Sequence, residues 1–485
     1  MAQAMNPYLP SYEYVPDGEP RIFGDRLYVY GSHDAFDGPD FCVNDYVCWS
    51  APLTDLADWK YEGIIYRADQ DPANKKNNMH MCAPDCVQGA DGRYYLYYQL
   101  HVLTCTSVAV ADSPTGPFAF YGYVQHEDGT PWGNKKGDSF AFDPGVLVDD
   151  DGEVYCYVGF SPVGFFKKIF KMRGCKVDGG VCLHLAKDMK TVIGEEKPTV
   201  PGRDLAVETA YGKDGEHGFF ETSSPRKIGG KYYLIYSSFL SHELCYAVSD
   251  YPDRDFTYGG TIVSIGDVGL DGRSQADALN NLGNTHGGMV EVDGQWYIFY
   301  HRQTNKQKCA RQGCAEKVEI LEDGSIPQVE ITSCGLNDGP LVAKGRYEAR
   351  VACNLRAKEG VFSYTATREK DKKALYPYFT QTGGDRESDG DQYIANMKDG
   401  AVAGFKYFAF AGDEQKITVT VGGNADGSLH VKSQLDGGNL AKIPVHTCGA
   451  KTSATADLSC QAGRHALYFV YEGSGSLDFM DFTIQ

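Results

Sequence analysis

Five acidic or imidazole side chains recur in a similar position ahead of five glycines. Each stands seven to nine residues before its glycine: Asp17 before Gly24, Asp85 before Gly92, Asp143 before Gly152, Glu221 before Gly230 and His286 before Gly294. A single Asp near Pro or Gly is usually a turn former, and Asp85, in Ala-Pro-Asp, is the residue for which that role is strongest. A turn-forming role is plausible for any one of these residues. It is less plausible that four carboxylates and one imidazole occupy the same phase of five repeats by chance. We therefore interpret the five residues as one constellation.

Carboxylates that converge in one pocket can hydrolyse a glycosidic bond. One carboxyl group with a raised pKa protonates the leaving oxygen, while an ionised one deprotonates a water on the opposite face of the sugar. A third carboxylate beside the acid raises the pKa of that acid by like-charge repulsion. A calcium site uses the same oxygen ligands, so the residue types alone leave both interpretations open.

The five glycines belong to a recurring pattern of aromatic strands. Each is followed by an alternating aromatic run such as the one after Gly92, and the glycines are 68, 60, 78 and 64 residues apart. A strand, a glycine turn and a second strand predict a β-hairpin. Five hairpins, with room for two further strands in each interval, predict an all-β fold based on a five-bladed β-propeller, whose inner strands would aim the five side chains at one axis. The alternative is a β-sandwich or an irregular all-β fold; helical periodicity is sparse.

Composition favours short strands and excludes some partners. The 485 residues include 33 Tyr, 24 Phe and 56 Gly, which suit pleated surfaces and tight turns. A net charge of −19 argues against nucleic acid or an anionic membrane as a partner. The chain start lacks a signal-peptide pattern, and the fifteen irregularly spaced cysteines are interpreted as reduced thiols. These features predict a cytoplasmic protein, the alternative being a secreted one whose signal peptide was removed.

A change of pattern predicts a second domain. Residues 335–340 form a Gly- and Asn-rich linker, and short alternating strands separated by glycine turns follow from about Leu341. We predict a propeller over residues 1–335 and an accessory β-sandwich, resembling a jelly roll, over 341–485. About 145 residues is the length of one such sandwich.

The first 330 residues or so resemble glycoside hydrolase family 43, a family of five-bladed propellers that act mostly as α-L-arabinofuranosidases and β-xylosidases with inversion. The resemblance rests on several segments taken together: Asn6–Pro10 with Pro16-Asp17, Phe142–Gly145, Phe219–Ser224 and Thr285–Gly288. It implies that Asp17 is the general base, Glu221 the general acid and Asp143 the residue that tunes the pKa of the acid.

The same resemblance implies further site residues. His286 is similar to an axial histidine that contacts a central water or metal site, and Arg302 to an arginine that holds the sugar. Asp34, in Gly31–Asp34, resembles a segment at the pocket rim and is predicted to contact sugar, although a turn-forming Asp is the alternative. Asp85 and His286 are also predicted to bind substrate. We expect a calcium ion at His286, because no Cys is in phase with it and hard cations prefer oxygen ligands, and we expect no organic cofactor.

Two departures from the family pattern leave alternatives open. The base usually lies in Asp-Pro, whereas this chain has Asp17-Gly18-Glu19-Pro20, so a shorter hairpin would put Glu19 in place of Asp17. A Trp that often precedes Ala-Pro-Asp is Cys82 here. A stacking surface for the sugar is then expected from elsewhere, with candidates Trp132, Phe36 and Tyr66.

The C-terminal segment resembles carbohydrate-binding module family 6, through Gln392–Ile394, Met397–Gly400, Gly404–Phe408 and Leu477–Phe482. It has no Trp, so sugar binding and a purely packing role are weighed equally. For the whole chain we predict an inverting exo-glycosidase that releases terminal α-L-arabinofuranose from oligosaccharides derived from arabinoxylan or arabinan. The alternatives are a β-xylosidase with the same residues and a non-catalytic carbohydrate-binding propeller.

Overall fold

The structure, a computed structural model, confirms the predicted all-β architecture. It describes residues 3–206, 210–306, 308–364, 366–372, 374–386 and 390–485. Within these residues the first two thirds of the chain form five separate antiparallel sheets, the blades of a β-propeller, and the last third forms one extended sheet of ten strands.

Each blade is a meander whose strands pair in chain order. Blade I comprises β1 (Glu19–Phe23), β2 (Arg26–Tyr30), β3 (Tyr46–Pro52) and β4 (Lys60–Tyr66). Blade II comprises β5 (Met81–Gln88), β6 (Tyr94–Leu100), β7 (Ser107–Ala111) and β8 (Ala119–Tyr123). Blade III comprises β9 (Gly145–Val148), β10 (Val154–Phe160), β11 (Gly179–Leu185) and β12 (Lys197–Pro201). Blade IV comprises β13 (Phe219–Ile228), β14 (Lys231–Ser238), β15 (Glu243–Ser249) and β16 (Thr257–Ser264), and blade V comprises β17 (Met289–Val292), β18 (Gln295–Gln303) and β19 (Arg311–Val318).

The repeated aromatic strands are the second strands of the blades, and both of their faces are buried. In β14, Leu234 packs in a core shared with blade III, while Tyr233 and Ile235 pack in a core shared with blade V. This alternation follows from the two-residue period of a strand. Equivalent apolar cores lie between the other neighbouring blades. The near-continuous aromatic runs in the sequence are therefore the contacts that hold the ring of blades together.

The N-terminal segment closes the ring against β19, the last strand of blade V. The Asn6 side chain donates to the Ala315 carbonyl at 2.8 Å and accepts from the Ala315 N–H at 2.8 Å. The Tyr8 N–H donates to the Gly313 carbonyl at 3.3 Å. The segment thereby joins the last blade to the first, because the chain continues from Tyr8 into β1.

The second domain is organised around two long strands. Its strands are β20 (Leu341–Val342), β21 (Gly345–Glu348), β22 (Asn354–Arg356), β23 (Tyr378–Thr382), β24 (Asp391–Met397), β25 (Val402–Phe410), β26 (Lys416–Lys432), β27 (Asn439–Cys448), β28 (Thr452–Asp457) and β29 (Gly463–Ile484). Strands β26 and β29 pair along almost their whole length, and Phe405, Phe469 and Phe482 lie in the core. This arrangement is consistent with the predicted sandwich. The boundaries 1–335 and 341–485 stay a prediction.

One helix contrasts with the sparse helical pattern expected from the sequence. Helix α1 (Gly164–Met172) is inserted between β10 and β11, and the ring of Phe170 packs 4.5 Å from that of Phe140. A second helix, α2 (Glu369–Lys372), is one turn long. Short 3-10 helices lie at Ala68–Gln70, Pro72–Asn74, Arg203–Leu205, Lys213–Gly215, Leu270–Gly272, Gln275–Asp277 and Ala349–Val351. Among the described residues, no helix has both the length and the apolar character needed to cross a membrane.

Candidate active site

The beginnings of the inner strands meet at one end of the propeller axis. Asp17 lies two residues before β1, Asp143 two residues before β9, Glu221 within β13 and His286 three residues before β17. Asp17 and Asp143 have positive φ angles, 58° and 47°, as does Thr222 beside Glu221, at 74°. The ladder around Glu221 is bulged as well. Bulges and left-handed residues re-aim side chains next to active sites, and here they turn the carboxylates towards a common pocket.

Asp17 is a buried carboxylate stabilised as an anion. Its Oδ1 lies 2.9 Å from the Arg311 guanidinium and 3.3 Å from His301 Nδ1, and its own N–H donates to that Nδ1 at 3.2 Å. Burial opposes ionisation, but the charge of Arg311 and the contact with His301 hold the pKa of Asp17 well below its usual range. Asp17 is therefore ionised at neutral pH.

Asp34 supports Arg311 and has no oxygen free for a sugar. One carboxylate oxygen accepts from Arg311 Nε at 2.8 Å and the other from a terminal guanidinium nitrogen of Arg311 at 3.0 Å. The backbone N–H groups of Arg311 and Cys42 also donate to this carboxylate. Asp34 is 0% exposed. The predicted sugar contact is corrected: Asp34 is the residue that orients Arg311.

Arg311, rather than the predicted Arg302, is the arginine of the pocket. In β18 successive side chains point to opposite faces, so Arg302 faces away from its neighbour His301, which contacts Asp17. Arg302 instead donates to the backbone carbonyls of Arg350 and Ala352 in the second domain and stacks over Phe379. No feature of the sequence separated the two arginines. Strand pairing does, because Arg311 pairs with Gln303, which shares a face with His301.

Asp143 and Glu221 form the proton-holding part of the pocket. Burial and the negative charge of Asp17 raise the pKa of Glu221 to about 7. The pKa of Asp143 is also raised, by burial and by the charges of Glu221 and Asp17. Because each carboxylate disfavours ionisation of the other, the pair titrates as a unit and retains a proton near neutral pH. The pocket thus contains a permanent anion and a protonated carboxyl group.

His286 lies between the two Asp residues of the pocket. Its Nδ1 is 4.0 Å from Asp17 Oδ1 and 3.7 Å from Asp143 Oδ2. Burial lowers the pKa of His286 to about 4, so the imidazole is neutral at physiological pH. A neutral imidazole is the form that can bind a metal ion or accept a proton from water.

Asp85 and Glu19 point to the same axis but belong to an ion-pair network. Arg21 binds both oxygens of Asp85, at 2.9 and 2.6 Å, and the Val146 N–H donates to Asp85 at 2.7 Å. Glu19 accepts from Arg226 and lies 3.5 Å from Arg21. The predicted substrate contact of Asp85 is therefore corrected to a structural role that joins blades I, II and III. Glu19 is likewise paired, and Asp17 keeps the pocket position.

Several buried polar atoms of the residues that form the pocket, or that adjoin them in the chain, suit a hydrated cation. Among the described residues, Asp143 Oδ1, His301 Nε2 and the hydroxyls of Thr222 and Ser223 are buried without a hydrogen-bond partner. Such oxygen-rich cavities suit water and hard cations. A three-residue group suited to a metal, His217, Glu243 and Cys245, lies elsewhere in blade IV. An ion at His286 would accordingly rely largely on water ligands.

A cluster of aromatic rings includes the chain neighbours of Asp143 and Glu221. Phe220 lies 5.5 Å from Phe160, which lies 5.0 Å from Phe142, and all three rings are partly exposed. The stacking surfaces expected from the sequence are instead buried. Trp132 stacks on His126, Phe36 packs on Tyr14 and Tyr66 packs on Tyr98. Buried rings cannot stack on a sugar, so those three expectations are not met.

Comparison with known proteins agrees with this site. The family "Glycosyl hydrolases family 43" matches residues 16–326, the region of the propeller. The chain belongs to glycoside hydrolase family 43. It is therefore a glycoside hydrolase, and a non-catalytic binding propeller is no longer a competing interpretation. The matched region ends before the second domain, whose resemblance to a carbohydrate-binding module stays a prediction.

Relatives match the chain at both the sequence and the fold level. A xylosidase/arabinosidase of Thermoclostridium stercorarium is 47% identical over 99% of each chain. A β-xylosidase/α-arabinofuranosidase from a compost metagenome, described as a calcium-free complex with xylotriose, has a TM-score of 0.52 at 25% identity and covers 68% of this chain and 98% of its own. An arabinoxylan arabinofuranohydrolase of Bacillus subtilis, solved with cellotetraose, has a TM-score of 0.52 at 20% identity over 100% and 99% of the two chains, which shows a shared fold across both domains.

The two arginines of blade V give a direct test of the site. Arg311→Lys cannot form the forked contact with Asp34 while also reaching Asp17, so we expect kcat/KM to fall by about 100-fold, the scale of a misplaced catalytic group. The matched variant Arg302→Lys should lower the melting temperature, because its contacts are with the second domain, and keep most of the activity. Loss of activity in Arg302→Lys at an unchanged melting temperature, with Arg311→Lys active, would restore the assignment made from the sequence.

Proposed function

We propose that this chain is an inverting exo-glycosidase that releases terminal α-L-arabinofuranose from oligosaccharides derived from arabinoxylan or arabinan. The observation that carries the proposal is the division of labour in the pocket: Asp17 is held ionised, while the Asp143–Glu221 pair retains a proton. Hydrolysis with inversion needs one carboxylate to activate water and one carboxylic acid to protonate the leaving oxygen.

Two pocket residues transfer protons in this mechanism, and the others support them. Glu221 donates its proton to the glycosidic oxygen as the bond to the anomeric carbon breaks. Asp17 accepts a proton from the water that attacks the opposite face of the ring. Burial and the charge of Asp17 raise the pKa of Glu221, Asp143 is the residue proposed to tune it, and Arg311 and His301 fix the orientation of Asp17 by direct contact.

Names of relatives support the sugar class. The relative that is 47% identical along the full chain is called a xylosidase/arabinosidase, which covers both five-carbon sugars. β-Xylosidase activity with the same catalytic residues is therefore the second candidate. In the predicted cytoplasmic location, the substrates would be short imported oligosaccharides rather than polymers.

We also propose a calcium ion at the axis, bound by His286 and water. The neutral imidazole and the unpartnered buried oxygens nearby fit such an ion, and a relative's structure is described as a calcium-free form. When bound, a cation there supplies positive charge that favours the ionised form of nearby carboxylates.

Paired substrates test the proposed activity. We expect hydrolysis of 4-nitrophenyl α-L-arabinofuranoside with a higher kcat/KM than that of 4-nitrophenyl β-D-xylopyranoside, and release of arabinose from arabinose-substituted xylotriose. Proton NMR of the first-formed sugar should show the inverted anomeric configuration. The reverse preference would favour the β-xylosidase, and a retained configuration would contradict the roles given to Asp17 and Glu221.

Substitution of the acid and substitution of the base should have different effects on the kinetics. In the wild type, kcat/KM should fall about tenfold per pH unit above about pH 7, because deprotonation of Glu221 removes the acid. Glu221→Gln should lose this decrease of kcat/KM at high pH and should hydrolyse oligosaccharides far more slowly than the wild type. It should retain much activity on a 2,4-dinitrophenyl arabinofuranoside, because that leaving group needs no proton. Asp17→Asn should be inactive on both substrates. Glu19→Gln is the control for the alternative base; its inactivity beside an active Asp17→Asn would make Glu19 the base.

Chelation tests the metal. Extensive treatment with EGTA should lower the melting temperature or kcat, and calcium should restore it, whereas His286→Gln should not respond to either. Elemental analysis of the untreated protein should find about one calcium per chain. An unchanged wild type with substoichiometric metal would leave His286 as a structural residue.

A further inference from the structure

The second domain contacts the loops that build the pocket. Asp385 accepts from the Phe36 N–H at 2.7 Å and from the Asn44 side chain at 3.0 Å. Phe36 and Asn44 belong to the loop that also carries Asp34. The Tyr14 hydroxyl, three residues before Asp17, donates to Gln381 at 2.7 Å. The domain thus supports the side of the pocket that positions Asp17 and Arg311.

A second contact between the domains lies next to the segment that leads to His286. Residues 362–364 of the second domain lie parallel to residues 281–282, with the Leu282 N–H donating to the Phe362 carbonyl at 2.8 Å and the Tyr364 N–H to the Leu282 carbonyl at 3.3 Å. Asn281 fixes the same segment by accepting from the Phe362 N–H at 3.1 Å. These propeller residues are only a few positions before His286. Tyr364 is thereby placed at the pocket by backbone hydrogen bonds.

The phenol of Tyr364 reaches the acid side of the pocket. Ser241 and Asn284 are among its neighbours, on loops of blades IV and V that are joined by the Thr285 N–H donating to the Ser241 carbonyl at 2.9 Å. The negative charge of Glu221 adds to the effect of burial in raising the pKa of Tyr364, which places the phenol near the acid. The side chain stays partly exposed.

We infer that Tyr364 is a substrate-binding residue supplied by the second domain, and that its hydroxyl hydrogen-bonds the sugar on the leaving-group side of Glu221. A tyrosine suits this position because the ring packs on a sugar face while the hydroxyl binds a sugar oxygen. The inference rests on the proposed function, since it takes Glu221 as the group next to the scissile bond. The second domain would then help to select the leaving sugar.

Tyr364→Phe tests the inference by removing one oxygen atom. With arabinose-substituted xylotriose, which has a sugar leaving group, we expect kcat/KM to fall about 5- to 10-fold, the effect of one lost hydrogen bond, mainly through KM. With 4-nitrophenyl arabinofuranoside, whose leaving group has no sugar hydroxyls, kcat/KM should stay close to the wild-type value. Equal losses on both substrates, or no loss on the oligosaccharide, would overturn the inference.

A matched control and a binding measurement separate this inference from the proposed function. Tyr407→Phe removes another hydrogen bond between the domains, from Tyr407 to Glu330, away from the pocket, and should leave the ratio of the two activities unchanged. Calorimetry with xylotriose, the leaving product, should show weaker binding to Tyr364→Phe than to the wild type, whether or not the protein hydrolyses arabinosides. An inactive wild type with this binding difference would contradict the proposed function alone, whereas equal binding of xylotriose would contradict the role of Tyr364.

Discussion

The chemistry of the pocket depends on one buried cation, the guanidinium of Arg311, shared between Asp17 and Asp34. Two carboxylates around one arginine leave a net negative charge in a region with little water. Because Arg311 touches Asp17 directly, that carboxylate bears the negative charge, and the carboxyl groups further along the axis respond to its field. Burial and the negative charge of Asp17 together raise the pKa values of Asp143 and Glu221. The ion pair between Arg311 and Asp17 thus gives the base and the acid different protonation states.

The axis is divided into two layers of charge. Glu19 follows Asp17 by two residues and is the first residue of β1. There it meets Arg226 and Arg21, and Arg21 also holds Asp85, so the carboxylates of this inner layer are paired across blades. Removing one partner of such a buried pair costs about 3–5 kcal/mol, which makes the inner layer a structural element. The outer layer has more carboxylates than arginines and holds the reactive groups.

Local patterns in the sequence predicted the propeller. They did not predict which side chains pair with residues far away in the chain. The hairpin glycines and aromatic strands depend on a few adjacent residues, and the five blades confirm that prediction. The phase of Asp17, Asp143, Glu221 and His286 before each glycine likewise brought them to one pocket, although their catalytic roles stay predictions. The pairing of Asp34 with Arg311 and of Asp85 with Arg21 was not predicted, because an acidic side chain near a strand end looks alike whether it faces a sugar or an arginine distant in the chain. The prediction for Arg302 missed Arg311 for a different reason. A shift of one residue along a strand moves a side chain to the opposite face of the sheet.

The position of Arg302 changes the view of the second domain. A guanidinium that is nearly fully buried against Arg350, Ala352 and Phe379 belongs to a permanent interface, and Lys406 adds a buried ion pair with Asp267 across the same boundary. Linkers between independent binding modules are exposed and polar, with few contacts across the boundary. Here the boundary is buried, and its contacts continue to Tyr14 and Asn281, close to the pocket. A domain fixed in this way can influence catalysis by holding the pocket loops in place, even if it binds no sugar on its own surface.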